Sequence, residues 1–219
     1  MRKRAAVMLW IGGMALASFL VTFGFVDRLA LPRDWFVLGH VLVTGSLLGI
    51  YAAWSRTTIG DLVGDWRWGL AGATIAGSFM IWFVLMGPSS SRPNGLVLTW
   101  ALIWLGLIYG TIDALLLSVF PVLASRSVGG QDLFSANAGR FVASLVALAL
   151  SLLLTVTYHL GFPEFRGAAL VSTLIGNGIM TLSYLGTRSA LSPVLAHIAL
   201  HVATVLHGYL NALPAPPHY

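Results

Sequence analysis

The 219-residue sequence has no cysteine, which excludes disulfide bridges, thiolate metal centres and a cysteine nucleophile. Charge is almost as scarce: Asp, Glu, Lys and Arg make up 9% of the residues, against 58% hydrophobic residues and a mean hydropathy of +0.87. So little charge cannot cover a water-soluble fold, and the composition is that of an integral membrane protein in a lipid bilayer. The twelve basic residues outnumber the seven acidic ones but stand scattered over loops. With no basic helix face and no aromatic-basic interleaving, the sequence gives no sign of a nucleic-acid partner. Internal repeats, heptads, low-complexity tracts and phosphate-binding glycine loops are also missing.

What is abundant is apolar runs of the ~20 residues that cross a bilayer as a helix. They fall near residues 5–26, 35–54, 68–87, 95–124, 141–161, 167–186 and 190–213. This predicts an all-α, polytopic transmembrane helical bundle of about seven spans, within a range of six to eight. Residues 1–219 then form a single transmembrane domain with no room for a separate soluble one. The fourth run is unusually long and holds Pro121 near its end, which predicts a tilt, a kink or an interfacial finish. The opening "MRKR", its apolar run and "ALA" at 15–17 imitate a cleavable signal. Because the run continues unbroken to Val26, the segment reads as an uncleaved anchor.

Loops are short and turn-like, as in "GPSSSRPNG" at 87–95; the longest, 125–140, is rich enough in Gly and Ser to predict a mobile connection. "GNG" at 176–178 reads as a place for close helix packing. Trp35 and Trp54 bracket the second run and Trp66 and Trp68 begin the third, as expected of rings at headgroup level. A cytoplasmic N-terminus puts Arg2, Lys3, Arg4, Arg56, Arg67, Arg126, Arg140 and Arg188 inside and Arg28, Arg33, Arg92 and Arg166 outside. That bias favours N-in, C-out in a bacterial-type inner membrane.

Six of the seven acidic residues, Asp27, Asp34, Asp61, Asp65, Asp132 and Glu164, fall in loops, which leaves Asp113 in mid-membrane. An Asp there costs ~2.5–3.5 kcal/mol on insertion scales and faces the bundle interior with a partner. The available partners are His40 in the second span, His159 at the end of the fifth, and His197, His201 and His207 in the seventh; His218 lies in the tail. At 100° per residue His201 is rotated only about 40° from His197, so these two share a helix face while His207 points elsewhere. An i, i+4 imidazole pair with a third ligand from another helix matches the three-ligand pattern of a catalytic zinc site. The bland alternative is that each His packs in the bundle and donates to a backbone carbonyl or to a Ser or Thr hydroxyl one helix away. Counting ~1.5 Å per residue puts Asp113 and His201 about 16 Å from the inner boundary, His197 about 10 Å, and His159 and His207 about 25–27 Å. Depth thus joins Asp113, His197 and His201 but separates His159.

The segment "YLGTRSALSPVLAHIALHVATVLHG" at 184–208 resembles the third motif region of the CPBP family, the CAAX-protease and bacteriocin-processing intramembrane metalloproteases. That region has a short turn with a Thr and a small residue, then a helix reading roughly "pilaHxxxN". The family's diacidic EExxxR motif is met here by "IDALLL" at 112–117, with Asp113 at the second acidic position, Ile112 at the first and Leu117 at the arginine. Its FxxxH motif is met by "TVTYH" at 155–159, which supplies His159 but has Thr155 at the aromatic position. In the third motif His197 matches and His201 stands where the family has Asn.

The resemblance covers residues 95–213 and implies about eight helices around a site open to the membrane. It further implies Asp113 as general base, His159 and His197 as metal ligands or electrophilic stabilisers, and His201 at the third position. The implied cofactor is a divalent metal such as zinc, held by His159, His197 and His201. The implied partner is a membrane-tethered peptide or protein substrate. Two other readings stand beside this hydrolase: a non-catalytic structural or assembly subunit of a membrane complex, and a haem or pigment protein using imidazoles such as His40 as axial ligands.

Overall fold

The protein is described here in a computed structural model covering residues 2–133 and 137–208, with side chains over 4–127 and 139–208. His218 and the side chain of Asp132 therefore lie outside the described residues. Seven helices are long and apolar enough to cross a membrane, and no strand occurs among the described residues. The spans are α1 (Arg4–Arg28), α2 (Arg33–Ser55), α4 (Trp66–Leu85), α5 (Gly95–Ser127), α6 (Gly139–Leu160), α7 (Ala168–Thr187) and α8 (Leu191–Gly208). A short helix α3 (Ile59–Val63) joins α2 to α4. Its N-terminus is closed by a capping box in which the Thr58 hydroxyl accepts from the Asp61 N–H and the Asp61 carboxylate accepts from the Thr58 N–H. The Thr58 hydroxyl also donates to the Asp61 carboxylate at 2.7 Å, and this bond together with the one from the Thr58 N–H holds the Asp61 carboxyl below the usual carboxylate range.

Large apolar side chains such as Leu9, Ile75, Leu96, Phe141 and Ile175 point outward. In water such a surface would aggregate; here it is the face a bilayer solvates, and the chain is an integral membrane protein. The interior combines large aromatics such as Phe36 and Tyr184 with many small and polar residues, the latter as expected where apolar burial gives helices no advantage over lipid.

Two seams fix α8. Gly69, Gly72, Ala73, Ala76 and Gly77 make a buried stripe along α4, and at Gly72 a Cβ would lie 2.5 Å from Ser192 Oγ and 2.6 Å from Thr187 Cγ2. On its other side α8 crosses α5 at Gly110, where a Cβ would come within 3.2 Å of His201 Cδ2 and of Ile198 Cα. The close-packing role expected of "GNG" belongs to these glycines instead. Gly176 and Gly178 leave their neighbours, Met80 Sδ and Leu152 Cδ2, at the ordinary distances of 3.6 and 3.8 Å.

Helix α5 is the axis of the bundle, two thirds buried over its most apolar stretch. It does not end near residue 124 as the apolar run predicts but remains helical through Leu133. Part of the expected 125–140 loop is thus helix; the Ser125 and Ser127 hydroxyls bond back to the Val122 and Leu123 carbonyls within it. Two π-helical stretches, Leu102–Tyr109 and Leu115–Val119, flank the regular turn Gly110–Ala114 that carries Asp113. Pro121 explains part of this irregularity, because its missing N–H orphans the Leu117 carbonyl four residues earlier. In hydrocarbon that carbonyl needs a donor from a neighbouring helix. Ser151 Oγ of α6 supplies one at 2.6 Å, and Asn177 Nδ2 of α7 a second at 3.3 Å.

Candidate functional site: a polar cavity open to the lipid face

Asp113 is 5% exposed and each of its oxygens faces an imidazole. Oδ1 lies 3.1 Å from His40 Nε2 of α2, and Oδ2 lies 3.6 Å from His201 Nε2 of α8. Behind the carboxylate the Tyr109 and Tyr158 hydroxyls hydrogen-bond to one another, and their rings stack edge-on or tilted against His40. Tyr109 also meets the His201 ring at 4.8 Å between centroids. The mid-membrane acid thus has the partners its solvation cost demands.

In front of the carboxylate is a cavity of about 150 Å³. Asp113, His159, His197 and His201 all line it, together with Asn177. The rest of the wall is apolar, and Phe79, Phe83 and Ile175, among its lining residues, are also exposed on the outer face of the bundle. The mouth therefore opens sideways between α4 and α7 into the space lipid tails fill, not along the bundle axis into water. The i, i+4 pair lies as its spacing predicts, with the two rings 6.5 Å apart and within 18° of parallel.

His159, which depth counting separates from the others, lines the same cavity. Depths counted along the chain treat every helix as upright, which tilted helices in a bundle do not respect. His207 lies apart, its Nε2–H donating to the Gly87 carbonyl at 3.0 Å near the end of α8.

The expectation that an imidazole donates to a backbone carbonyl holds for one ring nitrogen of His207, and also of two residues at the cavity. Nδ1–H of His159 donates to the Thr155 carbonyl at 2.8 Å, and Nδ1–H of His197 to the Pro193 carbonyl at 3.1 Å. These bonds fix the tautomer, so Nε2 of each neutral ring carries the lone pair and is available as a base or ligand. Metal binding in the observed arrangement is another matter. Among the described residues no three His, Asp or Glu side chains stand together in a way that could hold an ion.

Sequence reasoning overlooked Asn177, Tyr109 and Tyr158. Asn177 ties four neighbours together: its Oδ1 accepts from Ser118 Oγ at 2.8 Å, and its Nδ2 points to Ser151 Oγ at 2.8 Å, Thr155 Oγ1 at 2.6 Å and the Leu117 carbonyl. The available signal was an amide within an apolar run, a polar group as much in need of a partner there as Asp113 is. Tyr158 carries no such signal, since a Tyr is unremarkable at the end of a span, whereas Tyr109 lies in mid-span, one helical turn before Asp113.

Fold and site together define a seven-span helical membrane protein with a carboxylate-imidazole cavity facing lipid. Compared with protein-family models, curated proteins and solved structures, the chain gives no match.

Proposed function

We propose that the protein is an intramembrane hydrolase of the CPBP type, cleaving a peptide bond in a membrane-tethered substrate. The supporting observation is that Asp113, His159, His197 and His201, drawn from three helices, line one cavity whose mouth faces lipid. With the N-terminus cytoplasmic in a bacterial-type inner membrane, the cavity runs from mid-bilayer, where Asp113 and His201 lie, towards the outer side. There α4 and α6 approach their ends and α7 begins.

In this reading an extended, lipid-anchored segment enters between Phe79, Phe83 and Ile175, and its scissile carbonyl comes to rest beside Asp113. Water in the cavity donates one hydrogen bond to the Nε2 lone pair of His159 or His197 and the other to Asp113. Asp113 takes that second proton while the oxygen attacks the carbonyl carbon. The Nε2–H of His201, at a long 3.6 Å from Asp113 Oδ2, is shared with the developing oxyanion. Collapse of the tetrahedral intermediate breaks the C–N bond, and Asp113 returns its proton to the departing amine. General-base assistance of this kind contributes ~10²–10⁴-fold, and a water-poor cavity strengthens each of these charge interactions.

The donor set does not fit a ready-made divalent metal centre, because His201 is engaged with Asp113 and no three ligands converge. Zinc on His159, His197 and His201 requires those rings to turn, and no step above depends on it. A haem or pigment fits less well still: both ring nitrogens of His40 are occupied, by Asp113 and Thr44. The cavity is also below the ~300–1,000 Å³ of ordinary ligand pockets.

Proteoliposomes offered fluorogenic peptides with and without a lipid anchor test the proposal. Cleavage by the wild type, lost in Asp113→Asn, His197→Ala and His201→Ala without loss of fold, is the expected result; full activity in all three variants overturns it. Elemental analysis and an absorption spectrum of the same preparation decide the metal and pigment questions. No cleavage, combined with stable co-purification of other membrane proteins, favours the non-catalytic subunit.

A further inference from the structure

We infer that His40, on α2 and outside the 95–213 region, is a positioning residue that sets the geometry of the Asp113 carboxylate; the inference rests on the hydrolase reading above. His40 is fully buried and is not part of the cavity wall, so it touches neither water nor substrate. It acts only through Asp113.

An ionised carboxylate accepts hydrogen bonds only, so His40 Nε2 must carry the proton in the 3.1 Å contact to Oδ1. The neutral ring then has its lone pair on Nδ1, and the Thr44 hydroxyl, one helical turn away at 3.3 Å, donates to it. The chain Thr44 → His40 → Asp113 thus has a single direction, and the tautomer is written into α2 by the i, i+4 placement of the hydroxyl. Phe36 and Tyr158 pack against the ring with centroids 5.8 and 5.2 Å away, and Tyr109 meets it edge-on at 5.6 Å. The imidazole cannot swing. Because Oδ1 is fixed from the side opposite the cavity, Oδ2 is the oxygen left toward His201 and the cavity.

The surroundings make the placement specific. Toward its C-terminal end α2 stands off from α5 across a second cavity, apolar and of about 300 Å³, between Gly45 and Gly49 on one side and Ile112, Leu115 and Val119 on the other. Aromatic packing at Phe36 and the His40–Asp113 bond therefore join the two helices just where the acid sits.

Three variants and two readouts test this. His40→Ala is expected to lower kcat by about ten- to a hundredfold with KM nearly unchanged, the size of effect expected when a buried charged partner is lost. His40→Gln, whose amide N–H extends to a similar distance, is expected to recover most of that loss. Thr44→Val, a mild substitution that keeps the ring, is expected to cost about two- to fivefold in kcat. A kcat unchanged in His40→Ala, or a His40→Gln no better than alanine, overturns the inference. Should His40→Ala fail to fold, His40→Gln and Thr44→Val decide: wild-type kcat in Thr44→Val together with a large loss in His40→Gln overturns it.

The second readout needs no catalysis. A hydrophobic carbodiimide forms an N-acylurea on a loosened membrane carboxyl, and mass spectrometry of the Asp113 peptide is expected to show faster labelling in His40→Ala than in wild type or His40→Gln. Equal rates overturn the His40–Asp113 linkage. Labelling contrasts without wild-type cleavage instead overturn the hydrolase reading and leave that linkage supported.

Discussion

Two polar clusters sit a turn apart on α5, and they are built to opposite rules. Around Leu117, Ser118, Ser151, Thr155, Asn177 and Thr181 form a neutral knot in which nearly every donor meets an acceptor; Thr181 Oγ1, for example, is 2.7 Å from Ser151 Oγ and 3.2 Å from Ser118 Oγ. Around Asp113 the groups are charged or basic, one contact is long, and the imidazoles of His159 and His197 line a cavity. A saturated network rigidifies and does no chemistry, whereas one with spare lone pairs beside a cavity can bind or transfer a proton. Proximity in the membrane therefore does not make a site; incomplete satisfaction facing a cavity does.

The contrast is broken most sharply at Asp113. Asp113→Asn should reduce cleavage of a membrane-tethered peptide by ~10²–10⁴-fold while thermal unfolding in detergent stays near wild type, since the amide keeps the shape and still accepts from His40. Next comes the crossing that holds both clusters against α8. Gly110→Val forces α5 from His201 and Ile198, and should cost ~1–3 kcal/mol of stability, the usual size of an overpacked contact, with a parallel loss of activity.

The neutral knot is addressed by Ser151→Ala, which should destabilise by ~1 kcal/mol yet leave turnover per folded molecule unchanged. Pro121→Ala returns an N–H to the Leu117 carbonyl, so the penalty of Ser151→Ala should shrink in that background; a double-mutant cycle without coupling would refute the proline explanation. The smallest effect lies outside the membrane. Thr58 lowers the folded-state pKa of Asp61, so the contribution of this cap is complete above the unfolded Asp value of ~3.9 and fades as pH falls through the lowered folded value. Melting curves of wild type and Asp61→Asn should therefore converge under acid and separate slightly near neutrality.

Much of this was readable along the chain. Hydropathy alone placed the seven spans to within a few residues where they are described, residues 209–213 of the last run lying outside the described residues, because the cost of backbone and charge in hydrocarbon is paid residue by residue. The same cost picked out Asp113 as the misplaced acid, and helical periodicity put His197 and His201 on one face and His207 on another. Elsewhere the linear reading failed for identifiable reasons. The Gly- and Ser-rich stretch after Pro121 looked like loop, yet its backbone is helical through Leu133, and depth counted along upright helices separated His159 from a cavity it lines. "GNG" drew attention to its glycines when its Asn was the residue with partners.

What the sequence determined by itself was the solvent of each segment and the identity of the groups that solvent could not tolerate, since both follow from local composition. Tertiary structure alone decided which partners those groups found: His40 across from α2, His159 at the far end of α6, Asn177 on the carbonyl freed by Pro121. Those meetings depend on how helices tilt and cross, on where π-helical turns shift the register of side chains, and on which glycines let backbones approach. None of these quantities is local to a stretch of chain.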